Sequence, residues 1–133
     1  MTKKLLWFVL FSFIFVMSCS NNKAKPRKQS GTAHMEFDNT KYDFGSAMEG
    51  EALIIEFSFK NTGNAPLHIE RIQSSCGCTV AEYPEFDIKP SEEGIVKAIF
   101  DTGGFKGYQY KTLTVYSNAD NSPVKLEITG VIQ

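Results

Sequence analysis

Catalytic side chains are thinly supplied in this sequence. It has two histidines, His34 and His68, and three cysteines, Cys19, Cys76 and Cys78. Neither histidine falls into a serine–histidine–acid set, and there is no glycine-rich phosphate loop and no carboxylate pair at catalytic spacing. Those absences speak against an enzyme, and they imply no cofactor. Beyond residue 18 nothing repeats apolar side chains at a 3.6-residue period, so an amphipathic helix is not expected in the body of the chain. The 133 residues leave room for one domain of ordinary size.

What the sequence does have begins at its first residues. Lys3 and Lys4 precede an apolar run from Leu5 to Met17, which has the length of a signal peptide and is too short to span a bilayer comfortably. The run ends Val16-Met17-Ser18-Cys19, and polar Ser20-Asn21-Asn22 follow at once. Small Ser18 before Cys19 resembles the bacterial lipobox, although leucine is usual where Val16 stands and Met17 is bulky for its position. Residues 1–18 are therefore expected to be a lipoprotein signal peptide and Cys19 the residue that carries lipid. The alternatives are an ordinary signal peptide and an uncleaved anchor. Each buried methylene of an acyl chain contributes about 0.8 kcal/mol, so two or three chains hold a protein on a membrane where one is marginal. Ser20 is not the aspartate that retains some lipoproteins at the inner membrane, which favours the outer membrane of a bacterial cell envelope.

Residues 20–34 show no strand or helix period and carry Lys23, Lys25, Arg27 and Lys28 without one acid. With Cys19 they form an expected lipidated, disordered, basic tether over 19–34. It would reach about 50 Å extended and about 20 Å as a coil. No nucleic-acid partner is expected of an exported chain. Removing residues 1–34 takes away six of the 14 basic residues and none of the 15 acidic ones, so the domain expected over 35–133 has a formal charge of −7. Solubility is the first consequence of such acidity, and cation or basic-partner binding the second.

From there period-2 alternation dominates. Leu53, Ile55, Phe57 and Phe59 share one face of a strand over 52–60, with Ser58 and Lys60 on the other. Asn61-Thr62-Gly63-Asn64-Ala65-Pro66 breaks it, with Gly63 able to supply positive φ. A strand over 67–74 follows, and the slip in phase between Ile69 and Ile72 predicts a bulge near Glu70-Arg71. Phe86 and Ile88, in the loop between Pro84 and Pro90, are expected to plug one end of the core. Later strands turn Val96, Ala98 and Phe100, then Leu113 and Val115, then Val124, Leu126 and Ile128 inward. Tyr108, Tyr110 and Tyr116 sit on the opposite parity and are a candidate partner surface. About seven short strands at this spacing predict an all-β, immunoglobulin-like antiparallel β-sandwich.

Several stretches resemble one bacterial family. Phe59 to Leu67 (FKNTGNAPL), Ser75 to Thr79 (SCGCT), Ile88-Lys89-Pro90, Gly107 with Lys111 to Val115, and Ser117-Asn118-Ala119 resemble the family known as domain of unknown function 1573. The resemblance covers residues 37–132. It implies an exported protein or lipoprotein with a fold similar to the major sperm protein and its ciliary relatives. It also implies a 61–66 loop that crosses between sheets, where length alone would suggest a hairpin. Ser91 departs from the glycine usual there, which puts the geometry of that turn in question.

Cys76 and Cys78 form an even pair in an oxidising compartment. In an extended segment their α-carbons would lie about 6.5–7 Å apart, at or past the limit for a disulfide, so a bond between them requires the backbone to fold at Gly77. A positive φ there would make Gly77→Val destabilising. Three roles stay open for the pair: structural, thiol–disulfide exchange, and binding of a soft metal such as Cu(I) or Zn(II). His68 begins the strand that Cys76 ends, about 26 Å away, and His34 belongs to the expected tether. The sequence favours a lipid-anchored envelope module binding a protein or envelope polymer, with a redox or metal-handling accessory protein as the alternative.

Overall fold

The computed structural model describes residues 31–133. The expected signal peptide, Cys19 and the expected tether up to residue 30 lie outside the described residues. Eight strands follow in order: β1 (Met35–Phe37), β2 (Lys41–Ala47), β3 (Ala52–Asn61), β4 (Ile69–Ser74), β5 (Thr79–Glu82), β6 (Glu93–Asp101), β7 (Gly107–Ser117) and β8 (Val124–Ile132). They form two four-stranded sheets, β1-β3-β6-β5 and β2-β8-β7-β4, packed as an immunoglobulin-like sandwich with no helix among the described residues.

Strand pairing is antiparallel with one exception. β2 runs parallel to β8, with Tyr42 opposite Ile128 and Ala47 opposite Ile132. The cause is the way the chain opens. β1 pairs antiparallel with β3, and β2 continues in the direction of β1 but in the other sheet. Asp38 to Thr40 is thus a crossing that keeps its heading, and it splits the first strand between two sheets. The 61–66 loop likewise carries the chain from β3 in one sheet to β4 in the other, as the family resemblance implies.

Period-2 alternation places the core. Ile55, Phe57, Phe59, Val96, Ala98 and Phe100 face inward from the first sheet, and Ile69, Leu113, Val115, Leu126 and Ile128 meet them from the second. Phe59 lies opposite Gly94 on β6. A Cβ at Gly94 would run into the Phe59 ring, so the glycine is a seat for that side chain. The expected bulge is present between Ile69 and Arg71. The expected plug is half right. Ile88 is buried and exchanges backbone hydrogen bonds with Leu67 at 2.8 and 2.9 Å, but Phe86 is 68% exposed. Ile88 already fills the end of the core, and Phe86, two residues earlier, stays outside.

The ten residues of β3 span about 30 Å and separate two poles. Residues 31–34, the 61–67 loop and the turn near 118–121 meet at the N-terminal pole. Cys76 and Cys78 sit at the other, near the 101–107 connection.

Candidate functional site

The N-terminal pole is held by asparagines. Asn61 is fully buried, and its side-chain amide donates to the carbonyls of Ala65 at 2.8 Å and Ile88 at 2.9 Å. Its Oδ1 accepts from the backbone of Gly63 at 3.0 Å. Residues 31–34, expected to be tether, are instead part of the domain. Ala33 is buried and bridges Ala119, Thr62 N donates to His34 O, and Asp120 N donates to Ala33 O. His34 Nδ1 lies 2.6 Å from Asp120 Oδ1, so this histidine is fixed at the pole and does not wander. Composition hid this, because residues 31–34 bond to positions far along the chain and have no period of their own. Gly63 also differs from expectation. It has no positive φ, and glycine is needed because the backbone of Thr32 to His34 passes where a Cβ would stand. Asn61 and Gly63 of the FKNTGNAPL stretch and Ala119 of the SNA stretch thus pack this pole together.

At the opposite pole Cys76 and Cys78 form a disulfide with α-carbons 5.3 Å apart. The backbone turns between β4 and β5, as the bond requires, yet Gly77 has no positive φ and a Cβ there would meet nothing. The expectation that Gly77→Val strains the backbone thus loses its basis. Ser74 Oγ donates to the carbonyl of Cys76 at 2.8 Å, and both sulfurs lie 3.8 Å from the Thr79 hydroxyl. Cys78 packs on a small cluster of Ala47, Phe100 and Ile132, with Phe105 beside it. Lys111 Nζ stands over the Phe105 ring at 4.1 Å and the Phe100 ring at 5.4 Å. Both cysteines are half-buried, and binding of a metal by them would first require the bond to be reduced. His68 is at the N-terminal pole, 3.1 Å from Asp87 Oδ1, and does not join the cysteines. No group of three or more metal-ligating side chains occurs among the described residues.

The three tyrosines divide. Tyr108 and Tyr110 are 69% and 48% exposed on the outer face of β7, opposite Val131 and Thr129 of β8. Tyr116 is half-buried, with the Arg71 guanidinium 3.6 Å over its ring. The cover comes from the next strand, Arg71 being its register partner on β4. The exposed pair lies in the half of the sheet remote from the N-terminal pole.

Comparison with known proteins supports the architecture. A protein of unknown function from Porphyromonas gingivalis W83 superposes with a TM-score of 0.67 at 18% identity, over 84% of this chain and 51% of that one. The ASH/PapD-like domain 7 of human CEP192 does so with a TM-score of 0.62 at 13% identity, over 89% and 97% respectively. The E. coli chaperone DraB gives a TM-score of 0.51 at 12% identity, over 77% and 55%. This chain spans about half the length of the Porphyromonas protein. At such identities the likeness establishes the fold, a PapD-like immunoglobulin sandwich. No curated protein matches the chain. A family model does match, over residues 35–132, and the chain belongs to that family, the proteins of unknown function designated DUF1573.

Proposed function

We propose that this chain is a binding module of the cell envelope, held to a membrane through lipid on Cys19, that presents the outer face of β7 to a protein or envelope-polymer partner. The coarse part of this reading, a binding or structural module, suits an immunoglobulin-like fold in a family without an assigned function. The observation that carries the finer part is the exposure of Tyr108 and Tyr110, far from the pole where the N-terminal segment joins. Exposed tyrosines bring rigid apolar area and a hydroxyl at small entropic cost, which suits contact with a partner. Retention of a Cys19→Ala chain on isolated envelope fragments tests this without the anchor masking the result. Tyr108→Ala/Tyr110→Ala is expected to lower that retention at least about tenfold, equivalent to about 1.4 kcal/mol. Unchanged retention would remove the tyrosine face from consideration.

A second reading is supported by the disulfide itself. The Cys76–Cys78 bond closes a span of only two residues, so it contributes little to stability through loop closure. A partner dithiol could reduce it, its two thiols becoming the partner's disulfide while Cys76 and Cys78 take up the two protons and two electrons. The Thr79 hydroxyl would then be placed to donate to a thiolate.

A further inference from the structure

The outer face of the first sheet carries a groove of about 570 Å3 formed by β3, β6 and the segment following β5. Tyr83, Phe86 and Ile95 give it apolar lining, and Glu56, Glu82 and Glu93 give it charge. Phe86 and Ile95 are 68% and 46% exposed. The cation in the groove, Lys97, is already 3.4 Å from Glu82, while Glu56 and Glu93 have no ion-pair partner among the described residues. The groove therefore suits an occupant that carries positive charge together with aliphatic surface.

This chain contains such a segment. Lys23-Ala24-Lys25-Pro26-Arg27-Lys28 has four cations and no acid. The place where it joins the domain is favourable as well. Gly31 lies against Asn64 and Ala65. Asn61 connects that point to the groove, since its side chain binds Ala65 O and its backbone N–H donates to Glu92 O, next to Glu93. Counted from Gly31, Lys28 reaches about 10 Å and Lys23 about 26 Å along an extended chain.

We propose that residues 23–28 dock in this groove as an intramolecular ligand. Their ammonium and guanidinium groups pair with Glu56, Glu82 and Glu93, and their aliphatic stems and Pro26 cover Phe86 and Ile95. Each exposed ion pair is weak, but a tethered ligand acts at an effective concentration in the millimolar range, so weak pairs suffice. Docking draws the domain close to whatever holds the N-terminus, and a competitor for the groove releases it. The inference goes beyond the proposed function and does not rest on it, since the groove is on the sheet opposite the tyrosines and no lipid is required.

Zero-length carbodiimide cross-linking of the full chain, with linked peptides mapped by mass spectrometry, tests it. Lys23, Lys25 or Lys28 is expected to link to Glu56, Glu82 or Glu93, with yields falling several-fold in about 1 M salt, where the Debye length is about 3 Å. E56Q/E82Q/E93Q should abolish those links and leave the melting curve nearly unchanged, because all three side chains are exposed. Mixing isotope-labelled with unlabelled chains separates the sources. Links between labelled and unlabelled chains would mean that a second copy is the occupant, and would overturn the proposal. So would links from the basic segment spread evenly over carboxylates elsewhere, such as Glu127 and Asp43.

Discussion

Ser91 shows how much one side chain can cost. Lys89-Pro90-Ser91-Glu92 is a β-turn closed by Glu92 N donating to Lys89 O at 3.0 Å. Proline at its second position and a φ of +70° at Ser91 give the type II form, which asks for glycine at the third position. The family resemblance places glycine there, and the structure keeps glycine's geometry while substituting serine. A non-glycine residue held in the left-handed region costs about 1–2 kcal/mol, and glycine returns part of that gain through a more flexible unfolded chain. Ser91→Gly is therefore expected to stabilise the domain by about 0.5–1 kcal/mol, raising Tm by a few degrees. A Tm that falls would show that Ser91 is held there by something other than the turn.

Among the elements, β3 tests the packing most directly. Phe57 and Phe59 are buried, and Ser58 between them is exposed. Phe57→Ala or Phe59→Ala is expected to destabilise by about 3–5 kcal/mol, as buried aromatics do. Ser58→Ala should shift stability by no more than about 0.5 kcal/mol. Comparable losses at Phe57 and Ser58 in denaturant melts would reverse the facing. This alternation was legible in the sequence because a strand's two faces are written in adjacent residues. The bulge at Ile69–Arg71 was legible for the same reason, as a slip in that alternation. What could not be read depends on partners distant in sequence. Asn61 looked like part of a strand break, but its role comes from Ala65 and Ile88, the latter 27 residues on. Tyr116 shared its parity with Tyr108 and Tyr110, and only pairing with Arg71 sets it apart. The Cys76–Cys78 bond was legible only conditionally, as one that needs the backbone to fold between the cysteines, and three roles stayed open for the pair.

At the scale of the whole molecule, one variant ahead of the N-terminal pole and one at the opposite pole test the proposed anchor and the disulfide separately. Cys19→Ala is expected to release the chain from membranes or to stall its processing. Failure of labelled palmitate to enter the unaltered protein would remove the lipid anchor from the account. Cys76→Ser/Cys78→Ser acts at the other pole. In a binding module it should cost little stability, about 1 kcal/mol or less given so short a loop, and leave envelope retention intact. In a thiol-exchanging protein the same change abolishes reduction by a dithiol partner while the fold survives. Loss of envelope retention with an unchanged melt would transfer the function from the tyrosine face to the disulfide.

The join at residues 31–35 also has a mechanical meaning. Thr32 and Asn64 exchange hydrogen bonds at 2.7 and 3.0 Å, His34 bonds Thr62, Ala33 bonds Asp120, and Asn121 holds both backbone groups of Met35. This strap extends the line of β1 along β3, where Met35 pairs with Asn61. A pull on the chain ahead of Gly31, directed along that line, loads these bonds together in shear and does not peel them one at a time. Tension from the N-terminal side is thereby spread over both sheets before any strand of the core has to move.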